Sequence, residues 1–323
     1  VQVGYCGNFS QDHCTEVHIA RSLEALGHRV IRLQEDGFTP EALTKALRAA
    51  PMDLFLFTRT WGHTLTLDHL ALLRDLGVPS ASVHLDLYVG LERGGPSDPK
   101  SVHNIGSDPF WQTDWVFSAD GDPSSQAFFE SKGINHRWLP PGVVADECYL
   151  ADVPLTRDLV FVGSLSRYHP EWPYRAQLGE WLSRSYGGRF EWHGRPGVPV
   201  RGAALNSLYA STRVAVGDSL CPGYTHRRYW SDRIPETLGR GGFLIHPEVD
   251  GMAEQGFIDG ETLATYKYGD LDGLKAKIDH YLTDDADRER IRKAGHELVK
   301  NQHTYTHRMQ EMLDVLTREG ALQ

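Results

Sequence analysis

Arg233-Ile234-Pro235-Glu236-Thr237-Leu238-Gly239-Arg240-Gly241-Gly242-Phe243-Leu244-Ile245 is the stretch on which the fold of this chain turns. Its first half predicts a short helix over 232–239, its glycines a tight turn, and Phe243–His246 a buried strand. Glu236 stands near the helix start, where backbone geometry and not a flexible loop holds it. A carboxylate in that position can accept two hydrogen bonds from a ribose diol, as acidic residues do in nucleotide sites. Arg233, three residues earlier, shares the helix face with Glu236. It is placed to contact a diphosphate or to orient the glutamate. An ordinary i,i+3 surface ion pair accounts for the same spacing.

The helix–turn–strand unit belongs to a longer rhythm. Upstream of it, the apolar runs 159–162, 190–192 and 214–216 read as strands, with amphipathic segments at 174–183 and 203–211 between them. A short strand at 262–266 and helices at 270–282, 285–301 and 306–317 follow. The first half repeats the plan: strands at 1–5, 29–33, 54–58, 80–84, 115–118 and 136–139 alternate with helices at 16–26, 40–49, 67–76 and 124–132. Such alternation predicts parallel sheets covered on both faces. Pro140-Pro141-Gly142 and the aperiodic stretch 146–157 mark a linker. The expected organisation is two α/β domains, 1–145 and 146–304, facing each other across a cleft. Ligands are then sought beyond the carboxyl ends of the strands.

Bulk properties narrow the classes. A length of 323 residues suits two domains, and 40% hydrophobic with 24% charged residues excludes disordered and fibrous proteins. No run approaches the ~18 apolar residues of a membrane span. The net charge of −10 disfavours a general nucleic-acid binder, whose phosphate contacts call for basic residues. Cys6, Cys14, Cys148 and Cys221 form no C-x-x-C pair and read as reduced thiols of a cytoplasmic protein.

Strand ends supply the remaining candidates. Phe161-Val162-Gly163-Ser164 closes a buried strand, and the glycine lets backbone N–H groups approach a phosphate. The loop beyond offers Arg167, His169 and Arg175. His193-Gly194-Arg195 follows the next strand; a satisfied structural histidine is the competing reading there. The segment 218–231 is long, aromatic and basic, with Tyr224, His226, Arg227, Arg228, Tyr229 and Trp230, and is expected to line a pocket rim. In the first half, His84 ends a strand with Asp86 two residues on, a pair suited to holding or moving a proton. Arg59, Trp61 and His63 follow another strand, and the Trp61 indole offers a face for stacking. Asn8, Ser10 and His13 follow the first. Asp270-Leu271-Asp272 spells a metal-binding Asp-x-Asp, but it opens an amphipathic helix and reads as a cap. His303 and His307, at i,i+4, have no third ligand in view. No metal is expected.

The 233–245 segment, with Phe161-Val162-Gly163-Ser164 and His303-Thr304-Tyr305-Thr306-His307-Arg308 in that order and spacing, resembles the GT-B glycosyltransferases. In particular it resembles the CgeB-like, spore-maturation-type glycosyl transferases, over about residues 115–317 and only in outline before that. The resemblance implies a GT-B fold of two Rossmann-like domains. The second would bind a nucleotide-diphosphate sugar, and the C-terminal helix, 305–323, would pack back on the first. It implies that Gly163, Ser164, Arg167, Arg175, His193, Arg228, Arg233 and Glu236 serve the donor. His84 and Asp86 would join Glu236 in catalysis, and Asn8, His13, Arg59, Trp61 and His63 would serve the acceptor. Arginines and helix N-termini would carry the leaving diphosphate's charge without metal or other cofactor. The implied reaction is sugar transfer to a hydroxyl of a glycan or small molecule, with retention; inversion would instead need His84 or a nearby acid as general base. Rival readings are a glycosyltransferase acting on a hydroxylated DNA base, a same-fold epimerase or hydrolase, and a non-catalytic nucleotide-sugar-binding module.

Overall fold

The computed structural model describes residues 1–58, 62–85, 105–164, 173–194, 200–218 and 227–322. The chain forms two compact units, one of residues 1–140 and 305–323, the other of residues 141–304. The break falls at Pro140-Pro141, five residues before the expected 145/146.

The first unit is built on a parallel sheet of β1 (Gln2–Gly7), β2 (Arg29–Gln34), β3 (Leu54–Thr58), β4 (Ser80–His84), β5 (Trp115–Ser118) and β6 (His136–Trp138). Their order is β2-β1-β3-β4-β5-β6. The central strands β3 and β4 are buried at every position because both faces are covered. Strand alternation sends Val3, Tyr5, Leu54 and Leu56 to one face. There they meet α1 (Thr15–Ala25) and the returning α10 (Tyr305–Arg318) through Ile19, Leu23, Met309, Met312 and Leu316. Cys6, Phe55 and Phe57 face the other way. They pack with α2 (Pro40–Ala49), α3 (Leu67–Asp75), α4 (Pro123–Ser131) and a 3-10 turn at Pro109–Gln112, through Leu43, Leu70, Phe129 and Phe110.

The second unit holds β7 (Arg157–Val162), β8 (Phe190–His193), β9 (Thr212–Val216), β10 (Leu244–Pro247) and β11 (Ala264–Tyr266), parallel and in the order β11-β10-β9-β7-β8. One face packs on α5 (Pro173–Tyr186) and α8 (Leu271–Thr283), with Phe161, Val214, Ile245, Leu178 and Ile278 in the shared core. The remaining helices are α6 (Gly202–Ala210), α7 (Arg233–Gly239) and α9 (Asp285–Gln302). The two points at which the chain passes between units are tied together inside the second: Val143 bridges Thr304, and the Val143 N–H donates to the His303 carbonyl.

Asp270 caps α8, its carboxylate accepting from the Gly273 N–H at 2.8 Å. His303 ends α9 in the second unit, whereas His307 belongs to α10 in the first. Among the described residues no helix is long and apolar enough to cross a membrane, and no three His, Cys, Asp or Glu side chains gather as metal ligands.

Candidate functional site

In each sheet the strand order reverses once, at β1–β3 and at β7–β9, and such reversals open a crevice beyond the carboxyl ends. In the second unit the crevice is bounded by Gly163-Ser164 after β7 and Gly217-Asp218 after β9. The Gly163 N–H donates to the His193 carbonyl at 2.9 Å, and the Trp192 indole donates to the Gly163 carbonyl at 2.9 Å. Gly194 adopts φ 99°, and a Cβ there would lie 2.9 Å from the Gly163 backbone. Two glycines thus let the turns after β7 and β8 touch.

Two arginines enter this crevice from different helices. Arg175, in the first turn of α5, donates through Nε to Asp218 Oδ2 at 2.5 Å and through Nη1 to the Ser164 carbonyl at 3.2 Å. Arg233, opening α7, donates through Nη1 to Asp218 Oδ1 and through Nε to the Val162 carbonyl at 3.2 Å. Its guanidinium lies over the Phe161 ring, 5.0 Å from the centroid. Arg233 Nη2 sits against Gly163, where a Cβ would come within 2.7 Å of it. Among the described residues that nitrogen makes no hydrogen bond. Burial alone would raise the Asp218 carboxyl, but Arg233 and then Arg175 outweigh it and hold it below its ordinary value. Burial and the neighbouring Arg233 charge lower Arg175. Among the described residues, two guanidiniums share one carboxylate, which leaves a net positive charge.

The shared helix face of Arg233 and Glu236 therefore does not pair them: Arg233 turns toward Asp218, and Glu236 toward Arg240. Glu236 Oε2 accepts from Arg240 Nε at 2.5 Å, and the Glu236 side chain keeps 17% of its exposure. Arg240, 2% exposed, also pairs with Glu147 and donates to Asn206 Oδ1 at 2.7 Å. Burial pushes the Glu236 carboxyl above the ordinary value, against the pull of Arg240. Glu236 Oε1 accepts nothing among the described residues.

Other candidates are placed as follows. His193 ends β8 with Nε2 3.0 Å from Glu191 Oε2. Arg228 holds φ 54° and forks onto Glu254 at 2.8 and 2.5 Å. The expectation that the whole aromatic run lines a pocket rim fails at Tyr229 and Trp230. Both are fully buried, and Trp230 packs edge-on against Phe257 at 5.8 Å. In the first unit, His84 ends β4, 5% exposed, its ring against Phe110 at 5.2 Å. His63 lies 5.4 Å from the Phe57 ring. Asn8 Oδ1 accepts from the Ser10 N–H at 3.0 Å and from its hydroxyl at 2.6 Å, and His13 is exposed. Arg59, Trp61, Asp86 and Arg167, like Tyr224 and His226, lie outside the described residues.

Several buried polar groups at the strand ends escaped sequence reading. Asp218 opens a loop read for its aromatic and basic residues; its place directly after Val216-Gly217 was the available signal. His246 on β10 is wholly buried, its Nδ1 donating to the Pro247 carbonyl at 2.7 Å, and burial lowers it to about 4. Asp120 is wholly buried two residues past Ser118, the register partner of His84. Glu16, in the first turn of α1, is pressed over Gly7; burial and then nearby Glu35 raise it to about 7, against its own backbone amide.

This architecture is the GT-B fold of glycosyltransferases. The chain resembles, over 99% of each chain, sucrose-phosphate synthase from Thermosynechococcus elongatus (12% identity, TM-score 0.67). It is similar, over 98% of its length and 99% of theirs, to an alpha-glucosyltransferase in complex with UDP-glucose and DNA containing an abasic site (12%, TM-score 0.69) and to Anabaena HepE in complex with UDP and glucose (13%, TM-score 0.61). No curated protein matches the chain in sequence. Residues 169–314, most of the second unit and most of α10, match the family model described as glycosyl transferase-like, a stretch that includes Arg175, Asp218, Arg233 and Glu236.

Proposed function

We propose that the protein transfers a hexose from a nucleotide-diphosphate sugar to a hydroxyl acceptor, and that the second unit's crevice binds the donor. The observation that carries this reading is the convergence of Arg175, Arg233 and the Gly163 turn at the carboxyl edge of β7 and β9. A net positive, largely buried pair of guanidiniums beside a glycine turn suits a diphosphate, which accepts forked N–H donors. Glu236, with one oxygen on Arg240 and the other open, would accept from the donor ribose. The similar structures holding UDP or UDP-glucose make uridine the first base to test.

In the reaction, the bond from the anomeric carbon to the diphosphate oxygen breaks, and the acceptor oxygen bonds that carbon. The diphosphate leaves with its added charge on the two arginines, without metal. With retention, the acceptor proton passes to the departing phosphate oxygen, and no protein base is required. The carboxyl edge of the first unit, with His84, Asn8, His13 and His63, is assigned to the acceptor. The net charge of −10 favours a glycan or small molecule over duplex DNA. The CgeB-like subfamily is the part of the resemblance that best fits the motif order.

Thermal shift against a panel of nucleoside diphosphates and nucleotide sugars tests the reading, because a ligand of the folded state raises apparent stability. UDP and at least one UDP-hexose should stabilise the protein, and the matching hexose should appear on an acceptor. A chain indifferent to every nucleoside diphosphate would overturn the proposal.

A further inference from the structure

Asp218 is 1% exposed and stands two residues past β9, at the boundary of the second unit's crevice. Its two oxygens are shared between guanidiniums from separate helices: Oδ2 with Arg175 Nε at 2.5 Å, Oδ1 with Arg233 Nη1, and Oδ1 again with Arg175 Nη2 at 3.4 Å. Its main-chain carbonyl accepts from Arg233 Nη1 as well, at 3.4 Å. The preceding Gly217 is packed so closely that a Cβ would fall 2.7 Å from the His246 ring and 3.3 Å from Arg233 Cδ. The carboxylate is thus sealed beneath the arginines, and a ligand entering the crevice meets the guanidiniums first.

We infer that Asp218 is a positioning residue for the donor diphosphate, acting through Arg175 and Arg233 by fixing the planes of both forks. This rests on the proposed donor site. The geometry supplies the reason. Arg233 has three N–H-bearing nitrogens; two are spent on Asp218 and the Val162 carbonyl, which aims the third, Nη2, at the Gly163 turn. Without the carboxylate the two cations would repel each other and the fork would lose its heading. A guanidinium with its rotamer already set loses less freedom when it binds.

Simple charge counting predicts the opposite outcome. Asp218→Asn keeps the shape and one acceptor oxygen while raising the site's charge by one unit, so an unpositioned pair of cations would bind an anion more tightly. Positioning predicts that UDP affinity falls about tenfold or more, since charge-assisted hydrogen bonds depend on direction. The decisive readout is a double-mutant cycle on UDP affinity, by calorimetry at fixed salt, with Asp218→Asn, Arg233→Lys and the double variant. If Asp218 acts through Arg233, the loss from Arg233→Lys shrinks in the Asp218→Asn background to about threefold or less. Losses that multiply, or a tighter Asp218→Asn complex, overturn the inference while leaving the donor site standing. Failure of the unaltered protein to bind UDP or any other nucleoside diphosphate overturns both. Should Asp218→Asn not fold, Arg175→Lys and Arg233→Lys carry the test. Joined through one carboxylate, their double variant loses less than the product of the single losses; a full product refutes the coupling.

Discussion

Replacing Glu236 by glutamine separates two roles that the structure gives to one carboxylate. Oε2 is held by Arg240 at 2.5 Å, and Oε1 is open. Glutamine keeps the size and one acceptor oxygen but removes the charge. If Oε1 receives a ribose hydroxyl, a hydrogen bond to a charged acceptor worth about 1.5–3 kcal/mol is weakened. UDP affinity should then fall by about 10- to 100-fold, at about 1.4 kcal/mol per decade. A stability cost accompanies it. Breaking a buried pair so that a charge is orphaned costs about 3–5 kcal/mol. Arg240 is not orphaned, because Glu147 and Asn206 remain on it. Burial already disfavours the charged carboxyl more than Arg240 favours it, so the neutral amide recovers part of this and the net loss should stay within about 1 kcal/mol, a few degrees of midpoint at most at roughly 2–4 °C per kcal/mol. Glu147→Gln is the control: it weakens the same Arg240 network from outside the proposed ribose site, so it should lower the midpoint and leave affinity alone. Calorimetric UDP titration with thermal unfolding of both variants reads the two effects apart. A Glu236→Gln protein that melts earlier yet binds UDP as before would make the glutamate a partner of Arg240 only.

Four further outcomes follow, two from the crevice and two from buried titrating groups. Gly163→Ala would place a methyl 2.7 Å from Arg233 Nη2 and 3.0 Å from the Phe161 ring; the guanidinium must shift against its hold on Asp218, so a stability loss of about 1–2 kcal/mol should accompany a roughly 3- to 10-fold drop in UDP affinity, and unchanged affinity would detach Arg233 from the phosphate. Calorimetry in excess chelator should give the same UDP affinity as without it, and binding abolished by the chelator would show that the diphosphate needs a metal. Glu16, raised to about 7, keeps its proton in the folded state between about pH 4.5 and 7 while the unfolded chain gives it up, so its contribution to stability is lost as pH rises through that window. Glu16→Gln should therefore gain up to about 3 kcal/mol at pH 8 and nothing near pH 4.5 in denaturant unfolding, and an equal effect at both pH values would mean the carboxyl titrates normally. His136 and His246, lowered by burial to about 3 and about 4, slope the other way: the unfolded chain takes up their protons below about pH 6.5, so their share is lost on acidification.

The layout of both sheets was legible because each link of the argument was local. Apolar runs such as Leu54–Thr58 have no polar alternation, which marks strands buried on two faces, and the helices between them carry their own start signals. The carboxyl edges then follow from the sequence alone. Side-chain pairings across those edges could not. The i,i+3 rule places Arg233 and Glu236 on one face of α7, yet it says nothing of what lies within a guanidinium's reach beyond the helix. Asp218, fifteen positions back, ends a different strand, and only the parallel register of β7, β9 and β10 brings it under Arg233. The same holds for Arg240: its i,i+4 spacing to Glu236 was visible, but Glu147 and Asn206 reach it from the entry segment and α6. Tyr229 and Trp230 erred in the other direction. Aromatic and basic neighbours suggested a rim, whereas burial separates the two kinds of residue: the rings turn inward, and Arg227 and Arg228 stay out on Asp250 and Glu254. A charged residue in such a sheet is therefore better ranked by the strand end it follows than by its neighbours in sequence. Asp218 satisfies that criterion two residues past β9, beside Gly163 directly after β7 and His193 as the last residue of β8.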